Sequence, residues 1–457
     1  MQPFRFKRMS QSGVKDLTEG AIFKPLIKLA MPIMATGFIQ MSHTLINMAW
    51  VGRLGSEHVA AVGGVGILLW LTSSLALMTK VGAEISIAQC IGAKTLDKAS
   101  RYASHTITIA VIIGLLVGVI LNGASETIVS FYKFEEYIAS MANDYLKIIS
   151  FAVPMLFFSN TFTGICNGTG RTSIPFYIIV VGLVFNILLD PLFIFVLNLG
   201  IEGAGYATVL SQAIVVGLFV WQFKRKNSVL NNFPFFVKLQ RPYTFHLIRL
   251  GAPIAAMNCF FAIISFYIAR VASIHGGHLG VMSQSTGGQI EGITWTTSQG
   301  FSTALGTFVA QNHAAGKIER TQKAYRYTLS LLLALGVVVT AAFLFFGKEI
   351  FGLFVPEQQA RIAGGEYLFI AAFSQIFMMI EITTLGMWNG FGRTIPPAVI
   401  SILLNVARIP LALWMAQLYG VNGVWIAITI SAILKGIVSP AWFQLSLKAE
   451  TKLKVKN

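Results

Sequence analysis

The sequence predicts an all-α polytopic membrane protein: twelve transmembrane helices in two parallel six-helix repeats. Two observations carry that prediction, the apolar runs and an internal duplication. Of 457 residues, 55% are hydrophobic and only 11% are charged, and the mean hydropathy is +0.70, more apolar surface than a soluble domain can bury. A helix of roughly 20 apolar residues crosses a hydrocarbon layer of ~30 Å, and the chain offers a dozen such runs. The duplication is plainest where Gly164, Asn167, Gly168, Gly170, Arg171, Thr172 and Pro175 recur 222 positions later as Gly386, Asn389, Gly390, Gly392, Arg393, Thr394 and Pro397. One offset of nearly half the chain marks a duplicated unit.

In order, spans are expected at 25 to 51, 58 to 90, 102 to 123, 145 to 167, 172 to 197 and 203 to 223. The second set falls at 246 to 272, 279 to 311, 326 to 346, 366 to 389, 394 to 418 and 423 to 446. This divides the chain into a tail (1–24), an N-lobe (25–223), a linker (224–244), a C-lobe (245–446) and a second tail (447–457). The linker holds Lys224, Arg225, Lys226, Lys238 and Arg241 with Pro234 and Pro242. The basic first twenty residues lack a long apolar core, so a tail is expected there rather than a signal peptide.

The net charge of +16 points to nucleic acid only in a soluble chain. Here the bases gather in alternate connections: Arg5, Lys7, Arg8 and Lys15; Lys94, Lys98 and Arg101; Arg171; the linker; Lys317, Arg320, Lys323 and Arg326; Arg393; and Lys448, Lys452, Lys454 and Lys456. The other connections are richer in acid, with Glu57, Glu126, Glu135, Glu136, Glu202, Glu349 and Glu357. Basic connections stay on the cytoplasmic side, so both termini are expected there, in the plasma (inner) membrane, with lipid rather than nucleic acid as surroundings. Each copy has an even number of spans and re-enters from the same side, which makes the repeats parallel and places a substrate site between halves.

The duplication extends to Leu26–Pro32 against Leu247–Pro253, Ala88-Gln89 against Ala310-Gln311, Tyr145-Leu146 against Tyr367-Leu368, and Gly200, Gly203, Ala207 and Ser211 against Gly420, Gly423, Ala427 and Ser431. Pro32 and Pro253 are read either as kinks or as first-turn prolines. The Gly-Arg-Thr stretch lacks the spacing and following Lys of a phosphate loop. A tight turn is expected, glycine supplying positive φ after a helix.

Four acids fall inside spans: Glu84, Asp190, Glu291 and Glu381. A lone charge at mid-membrane costs roughly 2.5–3.5 kcal/mol on insertion scales, so each is a candidate for function. Glu291 leads, because helical spacing aligns it with Gln284, Gly288, Trp295, Ser298 and Ser302, and a carboxylate one turn from a tryptophan can hold an organic cation. Asp190 lies one turn from Asn186, a pair whose oxygens suit a small cation, Na+ included, or a shared proton. The second copy has Asn405 and Pro410 there but Arg408 and Ile409 in place of an acid. Arg408 is the expected partner of Glu381, and Lys80, four residues before Glu84, the expected partner of that acid. His43 stands near Gln40 and Asn47 on the first span. Cys90, Cys166 and Cys259 show no metal-ligand or disulfide spacing, and no HExxH motif or Ser/His/Asp grouping suggests an enzyme.

Pro-Ile in the first span, Val51-Gly-Arg-Leu-Gly55 closing it, Val59-Ala-Ala-Val-Gly63 opening the second, Ala88-Gln89 with Gly92, and Asn186 with Asp190-Pro191 together resemble the MATE family, the multidrug and toxic compound extrusion transporters. The resemblance spans nearly the whole chain. It implies a V-shaped pair of six-helix bundles, working as a monomer without a cofactor, that exports small organic cations and drugs in exchange for H+ or Na+. It also implies that Asn186 and Asp190 belong to an N-lobe cation network. Two departures are evident: Asn47 stands where many relatives carry an acid, and Phe261 where many carry a glutamate. Coupling then falls to Glu291, Glu381, Asp190 or Glu84. The rival expectation is a lipid or lipid-linked oligosaccharide flippase, which needs cations such as Arg408, Lys435 and Arg270.

Overall fold

The computed structural model describes residues 14–225, 230 and 233–456, the last eight of these by backbone alone. Arg5, Lys7 and Arg8 of the first tail, Lys226 of the linker and the side chains of Lys452, Lys454 and Lys456 lie outside the described residues. The elements are α1 (Phe23–Gly52), α2 (Ser56–Gly92), α3 (Leu96–Gly123), α4 (Ser125–Ser130), α5 (Glu136–Ser150), α6 (Val153–Gly168), α7 (Ser173–Pro191), α8 (Gly200–Lys224), α9 (Arg241–Ala314), α10 (Ile318–Gly352), α11 (Gln358–Gly390), α12 (Ile395–Tyr419) and α13 (Val421–Lys456).

The twelve-span reading is consistent with this architecture. Among the described residues ten of the helices are individually long and apolar enough to cross a bilayer, and α5 and α6, bent by 46°, are so together, which gives an eleventh if the pair is one span. The twelfth is hidden in α9. Its 74 residues would measure about 110 Å as one straight helix, several times the hydrocarbon thickness, and it breaks at Gly277 (φ 56°, ψ −145°). The two arms, 241–276 and 278–314, are the seventh and eighth spans.

Gly277 lies 222 residues after Gly55, whose φ of 128° separates α1 from α2. The same spacing relates Gly170 (φ 77°) to Gly392 (φ 72°). After α6, Arg171 N donates to Cys166 O (2.9 Å) and Gly170 N to Asn167 O (2.9 Å). After α11, Arg393 N donates to Trp388 O and Gly392 N to Asn389 O, both at 2.9 Å. This is a Schellman cap with glycine at the left-handed position, as the tight-turn reading expects.

The cap does not explain Gly164 and Gly168, which lie inside α6. A Cβ on Gly164 would strike Lys80 O, and one on Gly168 would lie 2.7 Å from Glu84 O. In the second copy a Cβ on Gly386 would lie 2.5 Å from Ser302 O, and one on Gly390 would lie 2.9 Å from Gly306 O. All four contacted residues obey the 222 spacing, so each copy uses its motif to cross its second and fourth spans almost backbone to backbone. Close approach through small residues is how membrane helices gain packing without a hydrophobic driving force.

The structure forms two compact units that do not follow the copies end to end. Unit 1 comprises residues up to Gly20, Met31–Ala255 and Ala310–Gly316; unit 2 comprises Ala21–Ala30, Ala256–Val309 and Lys317 onward. The first turns of α1 thus belong to unit 2 and those of α9 to unit 1. Pro32 and Pro253, interior to their helices rather than in the first turn, lie within three residues of these handovers. Unit 1 is cored by Phe157, Leu146 and Tyr145 and by Phe162, Phe219 and Phe223, and unit 2 by Phe343, Phe351, Leu368 and Trp425.

Substituting Gly164 or Gly386 by Ala forces two backbones apart. Overpacking of this kind costs about 1–3 kcal/mol, so each variant should lower the thermal unfolding midpoint of the purified protein. Gly217→Ala, where a Cβ meets nothing within 4 Å, should leave the midpoint unchanged or raise it.

Candidate functional site

Unit 2 gathers a group of polar side chains around Glu291 inside its apolar helices. Glu291 on the second arm of α9 accepts a hydrogen bond at Oε1 from Tyr367 OH (2.6 Å) and at Oε2 from Gln375 Nε2 (3.1 Å). Both donors are on α11 and both are buried. The approach depends on Gly287, one turn before Glu291, since any Cβ there would collide with the Tyr367 ring. Trp425 of α13 packs edge-on against that ring, with centroids 4.9 Å apart. Two donors on two oxygens satisfy the ionised form of the acid.

The polar row of the eighth span faces α11, although not with the membership the spacing suggested. Thr294 Oγ1 reaches Gln375 Oε1 (3.5 Å), Ser298 Oγ reaches Met379 Sδ (2.8 Å) and Ser302 Oγ donates to Ile382 O (2.7 Å). Gln284 donates to Ser265 O (3.5 Å), and its Oε1 is buried without a partner. Trp295 is 45% exposed. At 100° per residue the row 291, 294, 298, 302 is centred away from 295, which leaves the indole at the edge of the face.

Glu381 on α11 pairs with Lys435 on α13, Nζ to Oε2 at 3.2 Å, rather than with Arg408. The helix packing gives the reason: α11 runs along α13 and touches α12 little. Arg408 is 94% buried on α12, donates from Nη2 to Ser431 Oγ (3.4 Å) and has no partner at Nε. Its charge acts on Glu381, Tyr367 and Glu291 together. The repeat mate of Asn186, Asn405, bonds Ser401 Oγ instead (3.3 Å).

In unit 1, Asn186 Nδ2 donates to Asp190 Oδ1 (3.3 Å), both side chains being fully buried. His43 of α1 lies against Asn186, and Tyr145 is within electrostatic reach of Asp190. Among the described residues Asp190 Oδ2, Asn186 Oδ1 and Asn47 Oδ1 are buried acceptors without a hydrogen-bond partner. One carboxylate with amide oxygens suits a proton or a monovalent cation; among the described residues no three His, Cys, Asp or Glu side chains come together. Immediately after Asp190-Pro191 the helix widens into a π turn, Leu192–Val196, with Leu197 N bonded to Leu192 O (2.9 Å). Its counterpart α12 remains α-helical through Pro410 to Tyr419.

Glu84, 8% exposed in α2, accepts from Asn167 Nδ2 (3.4 Å) and feels the charge of Lys80, the residue expected beside it. The candidates thus fall into two groups: Glu84, Asn47, Asn186 and Asp190 in unit 1, and Gln284, Glu291, Trp295, Glu381 and Arg408 in unit 2. Sequence reasoning did not anticipate Gln375, which has no polar repeat mate to flag it, or Lys435 as a partner of Glu381. Tyr367 carried a signal, its repetition of Tyr145, that was not connected to an acid.

The MatE family model matches residues 32–192 and 253–414, segments that begin at the paired prolines. Over 432 residues the chain is 26% identical to the probable multidrug resistance protein NorM of Thermotoga maritima, covering 92% of each. It is 23% identical to a FAD transporter of Shewanella oneidensis, covering 92% of this chain and 94% of that one. A crystal structure of MATE in complex with MaL6 superposes with a TM-score of 0.90 at 24% identity, covering 97% of this chain and 100% of the other. The two family segments, the duplicated caps and crossings and the twelve apolar spans make one case: this chain belongs to the MatE family, the multidrug and toxic compound extrusion transporters.

Proposed function

We propose that the protein exports organic cations and drugs across the plasma membrane in exchange for H+ or Na+, by alternating access, as a monomer with both termini in the cytoplasm. The observation that carries this reading is Glu291, a carboxylate inside a spanning helix whose two oxygens are held by Tyr367 and Gln375. A charged group at that depth is retained where it binds or moves charge. Protonation of such a group and binding of a cationic substrate favour different conformations, which is what coupled exchange requires. The multidrug resistance relative supports the substrate class. Asn186 and Asp190, with their unpartnered oxygens, are the second candidate for the coupling ion. The donor set fits Na+ as well as H+, and the ion is cargo rather than a resident metal.

A flippase or carrier of anionic headgroups is the second reading. The buried cations Arg408 and Lys435 and the FAD transporter relative favour it. Against it, Arg270 is exposed and the two buried cations have the acids Glu381 and Glu291 within their field, so they do not form the uncompensated positive cluster that a pyrophosphate site requires.

In proteoliposomes, a fluorescent organic cation should move against an imposed pH gradient or an imposed Na+ gradient. Glu291→Gln should reduce that gradient-driven flux to the level of empty vesicles while the protein still inserts; undiminished transport would sink the assignment. Asp190→Asn should weaken Na+-driven flux by about tenfold, equivalent to 1.4 kcal/mol. If H+ alone is the coupling ion, the imposed Na+ gradient drives nothing in the wild type.

A further inference from the structure

A cavity of about 660 Å³ lies at one end of unit 2, where α10 and α12 finish and α11 and α13 begin. That is within the range of small-molecule sites, about 300–1,000 Å³. Neither Glu291 nor Glu381 lines it. Its wall is largely apolar, with the rings of Phe345, Phe369 and Tyr419, and three charged side chains stand on it, Lys348, Glu349 and Glu366. All three are exposed, and none of them is in an ion pair among the described residues. Glu366 is held by Asn422 of α13, Nδ2 to Oε2 at 3.1 Å. Lys348 of α10 is laid across α11 at Gly365, where any Cβ would collide with the lysine stem. The base therefore lies over the residue that precedes the acid.

Depth decides the surroundings of these groups. Lys348 and Glu349 directly follow the apolar run 326–346, Glu366 opens the run 366–389 and Tyr419 follows 394–418, so the charges stand at the edge of the hydrocarbon layer, where an amphipathic phenol also settles. Beneath them the apolar surface continues. Val338 lies two turns from Phe345 on the same face of α10, and Phe373 one turn from Phe369 on α11, the two rings of α11 meeting edge-on at 5.7 Å. Val338, Phe345, Phe369 and Phe373 are all exposed. A charged mouth above an exposed apolar seam has the layout of a phospholipid, headgroup over chains. The rim then selects among headgroups: with two acids against one base, an anionic headgroup is disfavoured, whereas a phosphate beside Lys348 and an ammonium beside Glu366 use both signs of charge. The ring faces add to the hold on an ammonium.

We propose that this cavity is a binding site for a zwitterionic phospholipid with a primary-amine headgroup, a phosphatidylethanolamine, its phosphate on Lys348, its ammonium on Glu366 and Glu349 and one acyl chain along Phe369 and Phe373. A primary ammonium donates N–H groups to the carboxylate oxygens, which the methylated nitrogen of a choline headgroup cannot do. The bound lipid joins the ends of α10, α11 and α13, and on the orientation proposed above it belongs to the outer leaflet. The site is separate from Glu291 and Asp190 and stands whether or not those acids carry the coupling ion.

The test is native mass spectrometry of the purified full-length protein, stripped of lipid in detergent and titrated with phosphatidylethanolamine, phosphatidylcholine and phosphatidylglycerol of identical acyl chains. The first phosphatidylethanolamine should bind about tenfold tighter than phosphatidylcholine, the difference expected of one charge-assisted hydrogen bond, and phosphatidylglycerol should bind weakest. Glu366→Gln should bring phosphatidylethanolamine down to the level of phosphatidylcholine. Glu357→Gln, in the same connection but off the cavity wall, should leave the preference intact. Lys348→Gln should weaken both zwitterionic lipids alike, through the phosphate they share. Equal affinity for the three lipids in the wild type, a measurement that depends on no variant folding, marks ordinary surrounding lipid and overturns the proposal. A preference that survives in Glu366→Gln, or that disappears in Glu357→Gln, overturns it equally. Soluble phosphoethanolamine should not displace the lipid at equal concentration; if it does, the site takes a free headgroup and the lipid assignment falls.

Discussion

The cost of an ionised group within the hydrocarbon layer is the constraint to which the polar interior of this protein answers. It is met in four different ways. Glu84 is given an amide from the cap of α6, Asp190 an amide one turn back on its own helix, Glu291 a phenol and an amide from a neighbouring helix, and Glu381 a lysine. The last is a direct ion pair, and Glu84 has the charge of Lys80 nearby as well as its amide. Asp190 and Glu291 are held by neutral donors, which stabilise a negative oxygen without cancelling it, and that distinction separates a group able to exchange its charge from one whose charge is consumed by a partner.

The duplication supplies the frame on which these acids sit. Both copies close their fourth span with the same Schellman cap and cross it against the second span at the same glycines. Identical frames carry different polar content. The first copy has Glu84 at the position of Gly306 and Asp190 before a π turn; the second has Glu291, Glu381 and Arg408 within α-helical runs. Backbone packing is repeated because it depends on small residues at fixed spacing. The carboxylates are free to differ because each needs only a local donor.

The sequence made the local features legible and the pairwise ones obscure. Twelve spans, the turn at Gly170 and Gly392 and the four intramembrane acids follow from hydropathy, capping chemistry and the cost of burying charge, all of which operate within a helix or its ends. The partner of Glu381 did not, because choosing Lys435 over Arg408 requires knowing that α11 lies along α13. Trp295 lies about 55° of helix rotation from the centre of the observed row for the same reason: periodicity gives the width of a polar face, and only the facing helix gives its centre. The exchange of first turns between α1 and α9 had no signature beyond the paired prolines, which read equally well as kinks or as helix starts.

Tyr145 and Tyr367 occupy the same place in the two copies, 222 residues apart, and each stands by an acid of its own unit. The acids themselves come from different places, Asp190 from the fifth span of the first copy and Glu291 from the second span of the other. A phenol at a fixed site has thus been matched with carboxylates arriving from unrelated directions. The repeat register aligns the tyrosines and misses the acids, so a search for coupling groups in chains built this way is better begun at the duplicated tyrosine, asking which nearby helix happens to supply the charge.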